Sequence, residues 1–195
     1  MGIEDKSALL LHVCCAPCSI AVIDELRQSH TLTVLFYNPN IHPAREYQRR
    51  KDGVIQVCGE WAIPMLDHDY DPQEWHDAVQ GLEGEPEGGK RCAMCIGMRL
   101  SRVAQCAADY GFPVFATTLT SGRNKKAELI TPIAEKAALK AGVRYYAADW
   151  KKKGREEKAR KMIAERGIYR QNYCGCVYSL NARLARKRDQ NRRGM

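Results

Sequence analysis

Short apolar runs alternate with amphipathic segments along the chain, and this pattern predicts β-strands that alternate with α-helices. Residues 9–13 form a continuous apolar run of the kind typical of a strand buried inside a parallel sheet. Similar runs predict further strands at 32–37, 63–66, 114–118 and 145–148. The alternation predicts a single three-layer α/β domain spanning residues 1–195, with a mainly parallel sheet covered by helices on both faces.

The segments between these strands carry helical periodicity and helix start signals. Proline and serine at 17 and 19 indicate a turn into a helix near 20–28, and Pro72 opens a short helix after the third strand. Residues 81–90 are rich in glycine and glutamate and predict a mobile loop. The remaining helices are predicted at 43–60, 93–110, 131–141, 155–166 and 177–190.

Composition narrows the class of protein. The chain has 195 residues, of which 45% are hydrophobic and 28% charged, so it can bury a proper core and is not expected to be disordered. No apolar run approaches the roughly 20 residues that a membrane-spanning helix requires. The first residues lack the apolar stretch of a signal peptide. We therefore expect a soluble, cytoplasmic protein with no membrane partner.

The net charge of +8 is distributed unevenly along the chain. Residues 61–90 contain one basic and eight acidic residues, whereas residues 151–195 contain 15 basic and four acidic residues. A basic pole of this kind predicts a polyanionic partner that approaches one face of the domain.

Nine cysteines are the strongest chemical signal in the sequence. In a reducing compartment they indicate metal binding or redox catalysis rather than structural disulfides. Cys58 and Cys106 lie singly within predicted helices, where a cysteine behaves as a small core residue, and we assign them no role. The other seven fall into three groups: Cys14, Cys15 and Cys18; Cys92 and Cys95; and Cys174 and Cys176.

Each group lies at the boundary of a predicted element. The first follows the first strand and precedes the first helix, at the carboxyl edge of the sheet where α/β proteins place their sites. A helix N-terminus favours the thiolate, which is the form that binds metals or attacks. Because neighbouring residues of an extended chain point to opposite sides, Cys14 and Cys15 could serve two different centres.

Three interpretations of the cysteines remain open at this point. Four thiolates can hold a structural zinc ion, as in a zinc-stabilised RNA-binding protein, or a [4Fe–4S] cluster. Cys15-Ala16-Pro17-Cys18 between a strand and a helix resembles the active site of a thiol–disulfide oxidoreductase. Only an iron–sulfur redox enzyme uses all three groups, with the remaining thiols binding a second metal or cycling between dithiol and disulfide. We favour this last interpretation.

Aromatic and basic residues next to the third cysteine group indicate contact with RNA. Unpaired bases stack on aromatic rings, and phosphates bind arginine and lysine. The candidates are Tyr169, Arg170 and Tyr173, together with Arg123, Lys125 and Lys126 in the loop after a predicted strand.

Several motifs occur together in this chain: the run 11–19 around the first cysteine group, Arg91-Cys92 with Cys95, Tyr173-Cys174-Gly175-Cys176, and residues 37–43 after the second strand. In combination they resemble the QueH family of epoxyqueuosine reductases. The similarity covers residues 8–180. It implies a fold related to nucleotide-binding (HUP-like) α/β domains. It also implies a cobalamin-independent enzyme that reduces the epoxide of epoxyqueuosine to queuosine, the last step of queuosine biosynthesis, at the wobble position of tRNAs for Asp, Asn, His and Tyr.

The same resemblance implies the roles of individual cysteines. Cys14, Cys15, Cys92 and Cys95 are the expected ligands of a [4Fe–4S] cluster. Cys174 and Cys176 are expected to form a redox-active disulfide pair, or to bind a second metal ion, with iron the expected metal. Cys18 is a further catalytic candidate that would complete this second site. The electrons would come from an external donor.

Overall fold

A five-stranded parallel sheet forms the centre of the protein. The computed structural model describes residues 6–68, 70–122, 125–152 and 154–193. The strands are β1 (Ala8–Val13), β2 (Thr31–Phe36), β3 (Met65–Asp67), β4 (Val114–Thr117) and β5 (Arg144–Tyr145). They lie in the order β3-β2-β1-β4-β5, and every neighbouring pair is parallel. The predicted parallel α/β sheet is confirmed.

Helices cover both faces of this sheet, so the predicted three layers are also confirmed. Helices α1, α2 and α6 pack on one face, whereas α4 and α5 pack on the other. A short 3₁₀ turn, Thr118–Ser121, follows β4. The helices are α1 (Ala16–Leu26), α2 (Ala44–Glu60), α3 (Pro72–Ala78), α4 (Lys90–Asp109), α5 (Ala127–Ala141), α6 (Arg155–Glu165) and α7 (Val177–Arg193).

Strand β1 is buried on both faces because it lies in the middle of the sheet. Leu9, Leu11 and Val13 pack against α1 and α2, whereas Leu10 packs on the opposite side against α4 and α5. This two-sided burial explains why the strand reads as an unbroken apolar run rather than as an alternating one.

Three helices begin earlier than the sequence pattern predicts. Helix α1 begins at Ala16 rather than near 20. Pro17 is tolerated in its first turn, because the backbone N–H groups of a first turn have no hydrogen-bond acceptor within the helix. Helix α4 begins at Lys90 instead of 93, and α5 at Ala127 instead of 131, with Pro132 inside it. The prediction for the last strand was too long, because only Arg144–Tyr145 pairs with β4.

The chain order creates a crevice at the carboxyl ends of β1 and β4. Strands β2 and β3 lie on one side of β1, and β4 and β5 lie on the other, so the loops after β1 and β4 diverge to opposite faces. Such a switch point is where open parallel sheets place their ligand sites. Within the described ranges, no helix has the length and apolar character needed to cross a membrane.

Candidate metal centre

The first cysteine group lies at this crevice, where β1 passes into α1. Cys14 follows β1, Cys15 caps α1, and Cys18 belongs to its first turn. The three Sγ atoms lie within 4.8 Å of one another, and those of Cys14 and Cys15 are 3.8 Å apart. The expectation that these two neighbours point to opposite sides is therefore wrong.

The three neighbouring thiols shift one another's pKa values in different directions. Hydrogen bonds from Cys15 and Cys18 hold the pKa of Cys14 well below its ordinary value, and the nearby charge of Arg99 contributes to the same effect. Burial raises the pKa of Cys15, and the hydrogen bond to Cys14 raises that of Cys18 to about 12. The lowered pKa of Cys14 favours its thiolate over its thiol, and thiolates are the metal-binding form of cysteine.

A buried arginine lies beneath this thiolate. Arg99 of α4 is only 2% exposed, and its guanidinium donates to Asn38 Oδ1. The Asn38 amide in turn donates to Val13 O at 2.9 Å, which fixes the network to the end of β1. Within the described ranges Arg99 forms no ion pair with a carboxylate, so its positive charge acts on the thiolates of the site.

His12 lies in the same network as a neutral residue. Its Nδ1 is 2.8 Å from Thr117 Oγ1, and its Nε2 is 3.1 Å from Tyr37 O. Burial, together with the charge of Arg99, lowers the pKa of His12 to about 3. Both ring nitrogens have partners, so His12 is a core histidine rather than a metal ligand.

The second cysteine group occupies the first two turns of α4. Cys92, Cys95 and Arg99 are spaced i, i+3 and i+7, which places them on one face of the helix. Because Arg99 reaches the end of β1, this face of α4 is directed toward the first cysteine group. The N–H of Gly88 donates to Cys92 Sγ at 3.2 Å.

The loop before α4 is held by a side chain of the helix. The guanidinium of Arg91 donates to the carbonyls of Leu82, Glu83 and Glu85, and it also lies over the Tyr178 ring. The prediction of a mobile loop considered only its glycines and glutamates and missed this anchor.

The third cysteine group precedes α7 and is fixed by Arg50 of α2. The Arg50 guanidinium donates to Tyr173 O at 3.2 Å and to Cys174 O at 2.9 Å, and it pairs with Glu46 at 2.8 Å. Cys176 packs in one apolar cluster with Cys95, so the second and third groups are neighbours.

Two further side chains connect the cysteine groups. Gln171 Nε2 donates to Cys15 Sγ at 2.8 Å and lies 3.7 Å from Cys18 Sγ. Burial acts to lower the pKa of Lys125, but electrostatic interaction with Cys174, Cys95 and Cys92 outweighs it and raises that pKa above its ordinary value. The Lys125 ammonium therefore lies within electrostatic range of the second and third groups.

All nine cysteines are free thiols. Cys58 and Cys106 are buried in the two large cores, as predicted, and Cys106 Sγ lies 2.9 Å from His68 Nε2. The donor set of the site consists of soft cysteine sulfurs beside buried cations, which suits zinc or an iron–sulfur cluster rather than a metal that prefers oxygen ligands.

A cavity of about 1080 Å³ opens over these groups. Cys14, Cys18 and Cys174 line it, and the described residues in its wall include ten basic but only two acidic side chains. A concave surface with this excess of positive charge attracts a polyanion. The basic residues are Arg50, Arg99, Lys125, Lys151, Arg155, Arg160, Arg170, Arg183, Arg186 and Lys187.

The six predicted RNA contacts occupy different places. Lys125, Arg170 and Tyr173 line the cavity. Tyr169 instead donates to Glu46 Oε2 at 2.9 Å and packs under Arg49, and Lys126 is exposed at the start of α5. Arg123 lies outside the described residues.

Sequence reasoning missed several residues of the cavity wall. Asn38 and Asn40 follow β2 within the segment 37–43, whose position after a strand was the available signal. Arg183, Arg186 and Lys187 on α7 are spaced i, i+3 and i+4, a helical stripe that a periodicity count of the basic residues could have found. The burial of Arg50 and Arg99 had no comparable sequence signal.

Comparison with known proteins identifies close relatives. The family model described as Epoxyqueuosine reductase QueH matches residues 9–182. The Epoxyqueuosine reductase QueH of Histophilus somni is 45% identical over 174 residues, which are 88% of this chain and 72% of that protein. Those of Haemophilus influenzae and Thermotoga maritima are 42% and 36% identical, covering 91% and 92% of this chain and 73% and 97% of their own lengths.

Two solved structures share the fold at low sequence identity. The U34-tRNA thiolase NcsA from Methanococcus maripaludis, with its [4Fe-4S] cluster, aligns over 89% of this chain and 62% of its own, with a TM-score of 0.57 and 12% identity. A predicted subunit of tRNA methyltransferase from Methanocaldococcus jannaschii aligns over 80% and 76%, with a TM-score of 0.52 and 11% identity. These likenesses confirm the expected α/β fold class.

Proposed function

The chain belongs to the QueH family of epoxyqueuosine reductases, and we propose that its three cysteine groups hold the redox centre for this reduction. The protein is an oxidoreductase that reduces the epoxide of epoxyqueuosine to give queuosine. The observation that carries the proposal is the arrangement of seven free thiols and the cations of Arg50, Arg99 and Lys125 in and beside one cavity.

A [4Fe–4S] cluster is the proposed cofactor, with Cys14, Cys15, Cys92 and Cys95 as its ligands. The 3.8 Å between the Cys14 and Cys15 sulfurs supports a shared centre, as does the common face of α4 that carries Cys92, Cys95 and Arg99. When bound, such a cluster supplies electrons one at a time, drawn from an external donor. Arg99 and Arg50 would offset the negative charge of the thiolates.

Cys18, Cys174 and Cys176 would form the second part of the centre. We propose that they bind a second metal ion, with iron the expected metal, or that Cys174 and Cys176 cycle between dithiol and disulfide. Their place in and beside the cavity wall supports either role. Loss of the epoxide oxygen as water requires two electrons and two protons. The Lys125 ammonium would stabilise negative charge on that oxygen while the carbon–oxygen bond breaks.

The proposed partner is tRNA, bound with its anticodon loop in the basic cavity. Lys125, Arg170 and Tyr173 would contact it there, and Arg123, Lys126 and Tyr169 would contact flanking nucleotides. The substrates would be the tRNAs for Asp, Asn, His and Tyr, and the reaction would take place in the cytoplasm without a membrane partner. The excess of basic over acidic side chains in the cavity wall supports this docking mode.

We also propose that residues 1–195 form one domain, with the basic part 151–195 packed onto the metal centre. Two contacts support this arrangement. Gln171 donates to Cys15 Sγ, and Arg50 of α2 holds the carbonyls of Tyr173 and Cys174.

Anaerobic purification followed by metal analysis and an activity assay tests the proposal. We expect brown protein that contains iron and sulfide and reduces epoxyqueuosine in tRNA when given a low-potential donor. The variant Cys14→Ala should lose the iron-dependent absorption and the activity, whereas Cys58→Ala, which removes a core thiol that does not line the cavity, should keep both.

Three results would contradict the proposal. Fully iron-loaded protein that leaves epoxyqueuosine-tRNA unreduced would exclude the activity. Colourless protein that contains zinc alone would indicate a zinc-stabilised RNA-binding protein. Colourless, metal-free protein that reduces a disulfide substrate would indicate a thiol–disulfide oxidoreductase.

A further inference from the structure

Two carboxamide side chains in the cavity wall have oxygen atoms without a partner. We propose that Asn40 and Gln171 form a subsite that accepts hydrogen bonds from the hydroxyl groups on the substrate's five-membered carbon ring. The inference rests on the proposed function, because the hydroxyls belong to the carbocycle that carries the epoxide.

The unpartnered oxygens are buried, not solvated. Asn40 is 2% exposed, and its Oδ1 has no hydrogen-bond partner among the described residues. Gln171 as a residue is partly exposed, but its Oε1 atom is buried and also lacks a hydrogen-bond partner among the described residues. Seven buried side-chain atoms in the described part of the chain lack a partner, and three of them, including Arg99 Nε, belong to residues that line this one cavity.

Leaving such an atom unpaired is costly. A buried acceptor without a donor costs about 1–3 kcal/mol, and native proteins keep few of them. Two unpaired acceptors in the wall of a single cavity therefore indicate a ligand that brings its own donors.

The environment of Gln171 fixes the direction of its amide. Its Nε2 donates to Cys15 Sγ at 2.8 Å, which identifies the other corner of the planar group as the acceptor. Oε1 is thereby held beside the first cysteine group, which is where the proposal places the redox chemistry.

Asn40 lies beside the third cysteine group. A Cβ atom at Gly175 would lie only 3.4 Å from Asn40 Nδ2, so the amide packs against the backbone between Cys174 and Cys176. The backbone at Asn40 is also fixed, because its carbonyl pairs with His42 Nδ1 at 2.9 Å. Gln171 thus lies beside the first cysteine group, and Asn40 lies beside the third.

The substrate carries hydrogen-bond donors that match the two acceptor oxygens of Asn40 and Gln171. The carbocycle of epoxyqueuosine bears two hydroxyls, which donate hydrogen bonds, and an epoxide oxygen, which can only accept them. Acceptors on Asn40 and Gln171 would hold the hydroxyls, so that the epoxide faces the donors of the cavity, among them Lys125. A tRNA with unmodified guanine at the wobble position has no hydroxyls to offer this subsite.

A comparison of two tRNAs isolates the subsite. The measurement is the ratio of Kd values for tRNA with unmodified guanine and for epoxyqueuosine-tRNA, made with anaerobically prepared, iron-loaded protein. Asn40→Ala should lower this ratio about tenfold, which corresponds to about 1.4 kcal/mol. It should also raise KM more than it lowers kcat. The matched control Asn172→Ala removes an exposed carboxamide from the same cavity wall and should leave the ratio unchanged.

A second variant covers the case in which Asn40→Ala loses iron or stability. Gln171→Met keeps the length of the side chain but removes the Oε1 acceptor, together with the Nε2 donor to Cys15, and in iron-loaded protein it should lower the same ratio. An unchanged ratio in an iron-loaded variant would overturn the subsite, as would an equal loss of affinity for both tRNAs. Wild-type protein that fails to reduce epoxyqueuosine would instead overturn the proposed function, so the two failures are distinguishable.

Discussion

Gly175 shows how a single residue shapes the metal centre. Its φ of +132° lies in a region that side chains with a Cβ rarely adopt. A Cβ at this position would also lie 3.1 Å from the Arg50 guanidinium and 3.1 Å from Ile41 Cγ1. Glycine therefore permits the bend that sets Cys174 and Cys176 against α2.

Gly175→Ala should destabilise the protein by about 1–3 kcal/mol, because it combines a strained backbone with a close contact to Arg50. Thermal unfolding of the anaerobic protein measures the effect. The matched control is Gly59→Ala in α2, where no atom lies within 4 Å of the new Cβ and alanine favours the helix by about 0.5–1 kcal/mol. Equal melting temperatures for the two variants would show that the bend at 175 does not need glycine.

The cysteines also show what a sequence can and cannot reveal about single residues. Their grouping at element boundaries was visible, and so was the core role of Cys58. Which thiols meet was not visible, because the sequence does not show how the side chains of Cys14 and Cys15 turn where β1 passes into α1. Cys18 approaches Cys14 only because α1 begins two residues before it, at Ala16.

Ion pairs attach helix α6 to helix α1. Arg155 makes two bonds to the Glu25 carboxylate, at 2.6 and 2.7 Å, and Lys158 pairs with Asp24 at 2.6 Å. Burial acts to raise the pKa of Asp24, but hydrogen bonds from Lys158 and Arg27 outweigh it and hold that pKa below its ordinary value. Arg155 also lines the cavity, so this attachment supports one of its walls.

Asp24→Asn should lower the free energy of unfolding by about 1 kcal/mol or less at pH 7, since Lys158 is half exposed. A carboxylate with a lowered folded-state pKa stabilises above its unfolded-state pKa and loses that contribution as the pH falls through the folded value. The difference between wild type and variant should therefore shrink as the pH falls from 5 to 3. Urea unfolding at several pH values measures it, and a difference that grows in acid would contradict the ion pair.

At the scale of elements, the sequence pattern predicted the strands and helices better than it predicted the helix starts. Apolar runs identified all five strands because a buried parallel strand has few polar positions. The starts of α1 and α5 were predicted too late: Pro17 lies in the first turn of α1, and Pro132 lies inside α5. These errors matter, since the first turn of α1 carries Cys18.

At the scale of the whole molecule, the basic residues of the last part of the chain lie at the cavity. Helix α7 presents Arg183, Arg186 and Lys187 to the cavity, and none of the three forms an ion pair with another described residue. The excess of basic residues after 150 was readable in the sequence. The position of these basic residues near the cysteines depends on long-range contacts such as the bond from Gln171 to Cys15. These two residues are more than 150 positions apart in the chain, so no local sequence pattern predicts their contact.

Arg186→Gln with Lys187→Gln should weaken tRNA binding and flatten its salt dependence. Each lost phosphate contact lowers the slope of log K against log salt by about 0.7–0.9, so the pair should lower it by about 1.5. Lys136→Gln with Lys140→Gln removes the same charge from the exposed side of α5, away from the cavity, and should leave the slope unchanged. A salt titration of tRNA affinity compares them, and equal slopes for the two variants would exclude α7 from the docking surface.

The bond between Gln171 and Cys15 has a consequence for biosynthesis. During translation, Cys14, Cys15 and Cys18 are synthesised early, and the segment 171–176 follows more than 150 residues later. Until that segment has left the exit tunnel, the first three thiols lack the side chain that contacts them, and the cavity lacks the wall formed by α6 and α7. The hydrogen bond from Gln171 to Cys15, and the cavity wall formed by α6 and α7, can therefore form only late in the synthesis of each chain.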